Sequence, residues 1–207
     1  MSKTFLIALA GGSGSGKTTL ASSLHDYSSD INMLSMDHYY NDLSHWTAEQ
    51  KENHNFDHPA SIDFPLFISD LNNLKNNKTI QRPSYNFTNH HREQSVEMRP
   101  SKVLIVDGLF SLYHPETLGL YDLKIYIDTD DDLRLNRRIR RDIKERSRSL
   151  ESILDQYEKS VHPMYHSYVK PTRIHADFQM SLNTRNEKAF QSLTSMIQSH
   201  LQKENLK

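Results

Sequence analysis

The stretch Gly11-Gly12-Ser13-Gly14-Ser15-Gly16-Lys17-Thr18 follows directly on the apolar run TFLIALA. Nothing else in the chain constrains the fold as strongly. Glycines at this density cannot build a core of their own, so the segment must be a loop held by what flanks it. The spacing G-x-x-x-x-G-K-[ST], with a buried strand before it and a helix after it, turns backbone N–H groups inward to cradle phosphate oxygens. The helix presents its positive end to the same anion. Lys17 then reaches the outer phosphates, the Thr18 hydroxyl is suited to Mg²⁺, and Thr19 continues the nucleotide-binding set. This segment is expected to hold a nucleoside triphosphate.

A strand–loop–helix opening of this kind implies an α/β fold with a parallel central sheet. Further strands are predicted at Asn32–Asp37, Lys102–Phe110, Leu123–Thr129 and in ADFQMSL, with helices at Lys17–Tyr27, Phe64–Leu74, Asp130–Glu145, Leu150–His166 and Glu187–Gln202. In Asp130–Glu145 the apolar stripe of Leu135, Ile139 and Ile143 is expected to face inward. In the next helix Leu150, Ile153, Leu154, Tyr157 and Val161 are in phase. TIQRPSYNF and EQSVEMRP flank the polar turn TNHH and read as a hairpin. The length of 207 residues fits a single domain, with an inserted substrate-binding region over about 38–100 and a lid over about 138–156. The terminal helix is suited to packing on its own core or on a neighbouring subunit.

The net charge of -1 gives no global field to draw the chain onto nucleic acid or a membrane surface. There is no cysteine, which removes disulfides and thiolate metal sites and fits a cytoplasmic setting. The apolar run at the N-terminus is too short to span a bilayer and lacks a cleavage site, so the sequons at Asn77 and Asn86 carry no weight.

Two acids point to the kind of phosphate chemistry. Asp107 ends the strand KVLIVD, where a carboxylate supports the metal alongside Thr18. Asp37 ends the second strand, at the carboxyl end where ligands of such folds gather. A hydroxyl acceptor must lose its proton as phosphorus is attacked, and a carboxylate within reach can take it. Asp37 is also a third candidate for contact with the metal. The chain has no N-K-x-D guanine reader and no paired acid after Asp107, which favours transfer to a small acceptor over a GTPase or a motor ATPase.

Asp57 suits the vicinal hydroxyls of a ribose, although FDHP also reads as a simple helix-entry turn. Tyr85, Phe87 and His90 offer ring faces and a polar edge for a flat base. The alternative is that Tyr85 and Phe87 pack one core face and that His90 and His91 are a solvated turn. In RLNRRIRRDIKERSR, Arg138, Arg141, Arg146 and Arg148 can gather at one end and stabilise a transferring phosphoryl group. Arg137 and Arg140 suit surface ion pairs of small worth. His54/His58 and His162/His166 have i,i+4 spacing, but Pro59 and Pro163 interrupt or start any such helix. With no H-E-x-x-H pattern, no transition-metal site is expected.

The ordered set GGSGSGKTT, MDHYYND, NFDHP, RPSYNFTNHHR, VDGLF and RRIRRDIKERSRSLESILDQY resembles the uridine kinase group of the phosphoribulokinase/uridine kinase family, from about Phe5 to Asn183. The resemblance implies phosphorylation of the 5′-hydroxyl of uridine and cytidine with ATP or GTP and Mg²⁺, yielding UMP and CMP in pyrimidine salvage. It implies Asp37 as the base, Asp57 on the ribose, and Tyr85 and His90 on the pyrimidine. Tyr40, Phe56 and Phe87 become pocket walls, Arg141 a contact on the sugar side, and Gln156 a pocket glutamine. Arg138, Arg146 and Arg148 belong to the lid, and a homotetramer is implied. Two departures stand out. Asp107 occupies a position that is glutamate in many relatives, so metal contact is expected to shift towards a bridging water. The stretch from Asp37 to Asp57 is slightly shorter than in some relatives.

Overall fold

A computed structural model describes residues 3–183 and 187–205. Strand β1 (Phe5–Gly11) leads through the glycine loop into α1 (Lys17–Tyr27), then β2 (Ile31–Ser35) and a 3-10 turn at Met36–Tyr39. The chain then leaves the sheet for the short α2 (Ala48–Glu52), α3 (Phe64–Lys75) and the antiparallel hairpin β3 (Ile80–Asn86) and β4 (His91–Met98). It returns through β5 (Val103–Asp107), α4 (Pro115–Leu118), β6 (Leu123–Asp128) and α5 (Asp131–Arg146). A long helical stretch begins as α6 (Leu150–Gln156), runs through π turns on both sides of α7 (His162–Met164) and ends in a 3-10 turn at Lys170–His175. Strand β7 (Phe178–Ser181) and helix α8 (Glu187–Asn205) complete it.

The five-stranded sheet has the order β2-β5-β1-β6-β7, and every pairing in it is parallel. Alternation along these strands feeds two cores. Leu6, Ala8, Ala10, Leu104 and Val106 face α3 and the hairpin side. Ile7, Leu9, Val103, Ile105, Ile125 and Ile127 face α1 and α8. Burial on both faces is why these strands read as unbroken apolar runs. The register sets Leu9 and Ser35 on either side of Asp107, so the carboxyl ends of β1, β2 and β5 finish together beneath the glycine loop. Leu193 and Ile197 of α8 are buried in the second core, so this helix packs on its own chain. Among the described residues, no helix is long and apolar enough to cross a membrane.

The inner face of α5 overturns the sequence expectation. Arg134, Arg138 and Asp142 are its buried residues, while Ile143 is 48% exposed. Leu135 and Ile139 are only partly covered. The helix packs its charged stripe towards the glycine loop because that is where its hydrogen-bond partners lie. The following helix also departs from expectation. Leu150 and Leu154 are exposed, and the buried positions are Ile153, Val161, Tyr165 and Val169. Each π turn takes one residue more than an α turn, which rotates the apolar stripe and carries the helix past Pro163.

Replacing Ile197 by Ala is expected to cost about 2–4 kcal/mol, because it leaves a cavity in the second core. Denaturant unfolding would read this, and a loss below 0.5 kcal/mol would mean that α8 does not rest on that core.

Candidate active site

The glycine loop takes its shape from Arg134. A side chain at Gly12 would collide with the Arg134 guanidinium, and one at Gly14, where φ is 78°, would strike its carbonyl oxygen. The loop is closed by Ser15 N–H donating to the Gly12 carbonyl at 3.1 Å. The Thr129 hydroxyl donates to the Ser15 carbonyl at 3.0 Å. Helix α1 starts at Gly16 with no side-chain cap, so its first N–H groups are open to an anion. Lys17 is buried, and its Nζ donates to the Gly12 carbonyl at 3.2 Å. Burial lowers its pKa, against the pull of Asp107 and Asp37.

Thr18 Oγ1 donates to Asp107 Oδ2 at 2.6 Å. The other oxygen of Asp107 is buried without a partner among the described residues. A hydrogen-bonded hydroxyl and carboxylate with one unpartnered buried oxygen form a hard donor set of the kind Mg²⁺ takes, and the residues present fit that ion. Asp37 stands in the turn just after β2 rather than on the strand, with its N–H donating to Ser35 Oγ at 3.3 Å. Burial, and then the charge of Asp107, push its carboxyl above the usual range; Lys17, Arg146 and Arg141 oppose this.

A second wall is aromatic. Tyr40 lies 5.4 Å from Tyr85 and 6.1 Å from Phe87, ring centre to ring centre. Phe56 stacks on His90 at 4.4 Å, and Tyr85 Oη approaches His90 Nδ1 at 3.5 Å. His90 sits in the hairpin turn with φ 61°, a left-handed conformation. Burial lowers its pKa, as do the nearby Lys51 and two histidines, so the ring is neutral at neutral pH. Tyr85 belongs to the core, but Phe87 is 43% exposed at the mouth of the cleft. The reading in which both rings pack one core face therefore fails for Phe87. Arg92 fixes the hairpin against the Asp37 turn, donating to the Tyr40 carbonyl at 3.0 Å and pairing with Asp63 at 3.0 Å. Asp57 accepts a 2.9 Å bond from Ser160, and burial raises its pKa against the charges of Arg138, Arg148 and Arg146.

The third wall is the end of α5. Arg138 donates to Ser13 Oγ at 2.9 Å and to Gln156 Oε1 at 2.9 Å, and Arg148 reaches the same Gln156 oxygen. Four arginines converge on the fully buried Asp142: Arg141 at 2.8 Å, Arg148 at 3.5 Å, and Arg138 and Arg146 at 3.7 Å each. Arg146 also lies over the Phe87 ring, 5.5 Å from its centre.

These walls enclose one cleft of 1510 Å³. Ser13, Gly14, Gly16, Lys17, Thr18, Thr19, Asp37, Asp107, Arg138, Arg141, Arg146 and Arg148 line it. So do Tyr40, Phe56, Asp57, Tyr85, Phe87, His90 and Gln156. Gly11, Gly12 and Ser15 shape the loop from behind. The sequence reading missed Arg134 and Asp142, which organise the site from inside. Their spacing of four residues from Arg138 on either side was the available signal. It also misplaced Arg137, which lines the cleft and donates to the Leu182 carbonyl at 2.8 Å and the Asn183 carbonyl at 3.2 Å.

The model of the phosphoribulokinase / uridine kinase family matches residues 6–187. A uridine kinase of Macrococcus caseolyticus is 42% identical over 207 residues, spanning 98% of this chain and 100% of the relative. A uridine kinase of Ligilactobacillus salivarius is 41% identical over 204 residues, spanning 97% and 96%. Among solved structures, phosphoribulokinase from Rhodobacter spheroides shares the fold at a TM-score of 0.66 and 15% identity, over 86% of this chain and 70% of that one. Shikimate kinase from Acinetobacter baumannii does so at 0.54 and 16%, over 95% and 94%.

Two outcomes are expected from this geometry. Asp142→Ala leaves its arginines without their shared acceptor and should lower stability by about 3 kcal/mol, the low end for a broken buried pair because three of those arginines reach water. The raised pKa of Asp37 means that its ionised form costs stability above that pKa. Asp37→Asn should therefore raise the thermal midpoint at pH 7, with the gain vanishing below the ordinary carboxylate pKa of about 3.9, where both states are protonated. A lower midpoint at pH 7 would contradict this electrostatic account.

Proposed function

The chain belongs to the phosphoribulokinase / uridine kinase family, and from that premise we propose that it transfers the γ-phosphoryl group of ATP or GTP to the 5′-hydroxyl of uridine or cytidine. The observation that carries this reading is a single cleft holding the phosphate loop, the carboxylates of Asp37, Asp57 and Asp107, and a cage of rings. The loop amides and Lys17 hold the donor phosphates. Thr18 and Asp107 would hold Mg²⁺, which would supply positive charge against the donor phosphates.

The nucleoside lies with its base among Tyr40, Phe56, Tyr85 and Phe87, where stacked rings favour a flat heterocycle. The neutral His90 supplies a hydrogen bond to the base edge, and Asp57, steadied by Ser160, accepts from the ribose hydroxyls. This sets the 5′-hydroxyl beside Asp37. As its oxygen bonds to the γ-phosphorus and the bond to the β,γ-bridging oxygen breaks, the hydroxyl proton passes to Asp37. A carboxylate with a raised pKa takes that proton more readily than an ordinary one. Arg138, Arg141, Arg146 and Arg148 supply positive charge where the equatorial oxygens gather negative charge, and closing the lid excludes water that would otherwise accept the phosphoryl group.

Residues 1–207 act in this proposal as one kinase domain, with 38–100 as the acceptor region and 138–156 as the lid. Pyrimidine salvage in the cytoplasm and a homotetrameric state rest on the family resemblance.

The test is ADP release with ATP and Mg²⁺ over a panel of uridine, cytidine, thymidine, adenosine, pantothenate and ribulose 5-phosphate. Release dependent on uridine or cytidine, with the 5′-monophosphate as product, is expected. Turnover of another acceptor alone would overturn the substrate assignment. ATP binding with no acceptor turned over would favour a nucleotide-gated binding protein. Asp37→Asn should lower kcat about 10²–10⁴-fold while ATP affinity changes little. Normal turnover in that variant would remove Asp37 from the reaction.

A further inference from the structure

Outside the cleft, the first turn of α5 meets the π-helical stretch at three side chains of metal-binding type. His166 Nε2 lies 3.3 Å from Asp131 Oδ2, and His162 Nε2 lies 3.8 Å from the same oxygen. One ligand atom from each residue falls within 4.8 Å of the other two. The two imidazole rings are 4.5 Å apart, centre to centre. None of the three residues lines the cleft.

We propose that Asp131, His162 and His166 form a binding site for a divalent transition metal ion of the zinc or nickel type. Ligand atoms about 2.0–2.1 Å from a tetrahedral ion stand about 3.3 Å apart, so the closest pair already has the required separation and the others close by small side-chain rotations. Two imidazole nitrogens and one carboxylate oxygen select against Mg²⁺ and Ca²⁺, which take oxygen ligands. Solvent completes the coordination, since all three side chains are partly exposed.

The surroundings support the set. Asp131 Oδ1 accepts a 2.7 Å bond from Arg134 Nη2, which leaves Oδ2 turned to the histidines. Arg134 is fixed in turn by the Thr129 carbonyl at 3.1 Å and by the Tyr165 ring beneath it, 3.7 Å from the guanidinium carbon. A ligating carboxylate held in this way is oriented before the ion arrives.

The spacing of the histidines alone gave no such site, for two reasons. Pro163 was read as interrupting or starting any helix that carried them, whereas the π turns carry the helix through. The third ligand comes from a residue 31 positions before His162, brought near by the packing of α5.

The experiment uses the tag-free, metal-stripped full chain. Calorimetric titration with Zn²⁺ should give one ion per chain, and Zn²⁺ should raise the thermal midpoint by several degrees. Co²⁺ in place of Zn²⁺ should give the intense visible absorption of a low-symmetry nitrogen–oxygen site. The His162→Gln/His166→Gln double variant, checked for folding by circular dichroism, should bind Zn²⁺ at least ~10-fold more weakly, and Asp131→Asn likewise. The His54→Gln/His58→Gln variant should bind as the unaltered chain does. Equal Zn²⁺ affinity in the His162/His166 double variant would overturn the proposal. So would a cobalt spectrum no different from that of the free aqueous ion, which would leave the trio as a histidine–carboxylate clasp.

Discussion

The guanidinium of Arg134 is the charge on which the loop, the lid helix and the π-helical stretch all bear. It is 1% exposed. A cation that far from water must find all its partners in the protein. It finds the Thr129 carbonyl at the end of β6, the Asp131 carboxylate on its own helix and the face of Tyr165. Those partners come from three segments, so they can be supplied together only in one arrangement. The glycines above it follow from the same contact, because Gly12 and Gly14 lie where a side chain would collide with this residue. The loop thus owes part of its glycine content to what lies beneath it and part to the phosphate expected above it.

That contact explains which parts of the fold were legible in the sequence. Strands β1, β5 and β6 were readable because burial on both faces leaves continuous apolar runs, and α1 and α3 because each has one apolar face. Helix α5 was not. Its apolar stripe of Leu135, Ile139 and Ile143 obeys the usual spacing, yet the helix turns Arg134, Arg138 and Asp142 inward. A hydrophobicity pattern treats charge as a marker of solvent. It fails where a helix is built to bring charge to a buried loop, and the warnings were the density of arginine across Arg134–Arg148 and the four-residue spacing of Arg134, Arg138 and Asp142. The π turns hid the next helix in a related way, since a period of 3.6 residues cannot follow a stripe that widens by one residue per turn.

The cleft residues were easier to name than to place. Asp37, Asp57 and the ring-bearing hairpin came from short motifs, and the structure brings them into one cavity through contacts that no motif contains. Arg92 ties the hairpin to the Asp37 turn, and Ser160, from the π-helical stretch, holds Asp57. Neither stands out in the sequence, because a lone arginine or serine is ordinary on a surface. Their importance comes from which distant segment they meet.

The electrostatics of the cleft bind these observations together. The whole chain is near neutral, yet the cleft gathers eight basic and six acidic side chains, which favours polyanions locally without a global field. Within it Lys17 is pushed towards its neutral form and Asp37 towards protonation, each by burial first. Asp142 is a buried carboxylate shared by arginines that would otherwise repel one another. It lets four cations stand together where all four line the cleft. Removing the Asp142 charge would scatter the lid arginines, whereas removing that of Asp37 would relieve a cost. One acid serves the architecture and the other opposes it, and the residue that opposes the fold is the one proposed as the proton acceptor.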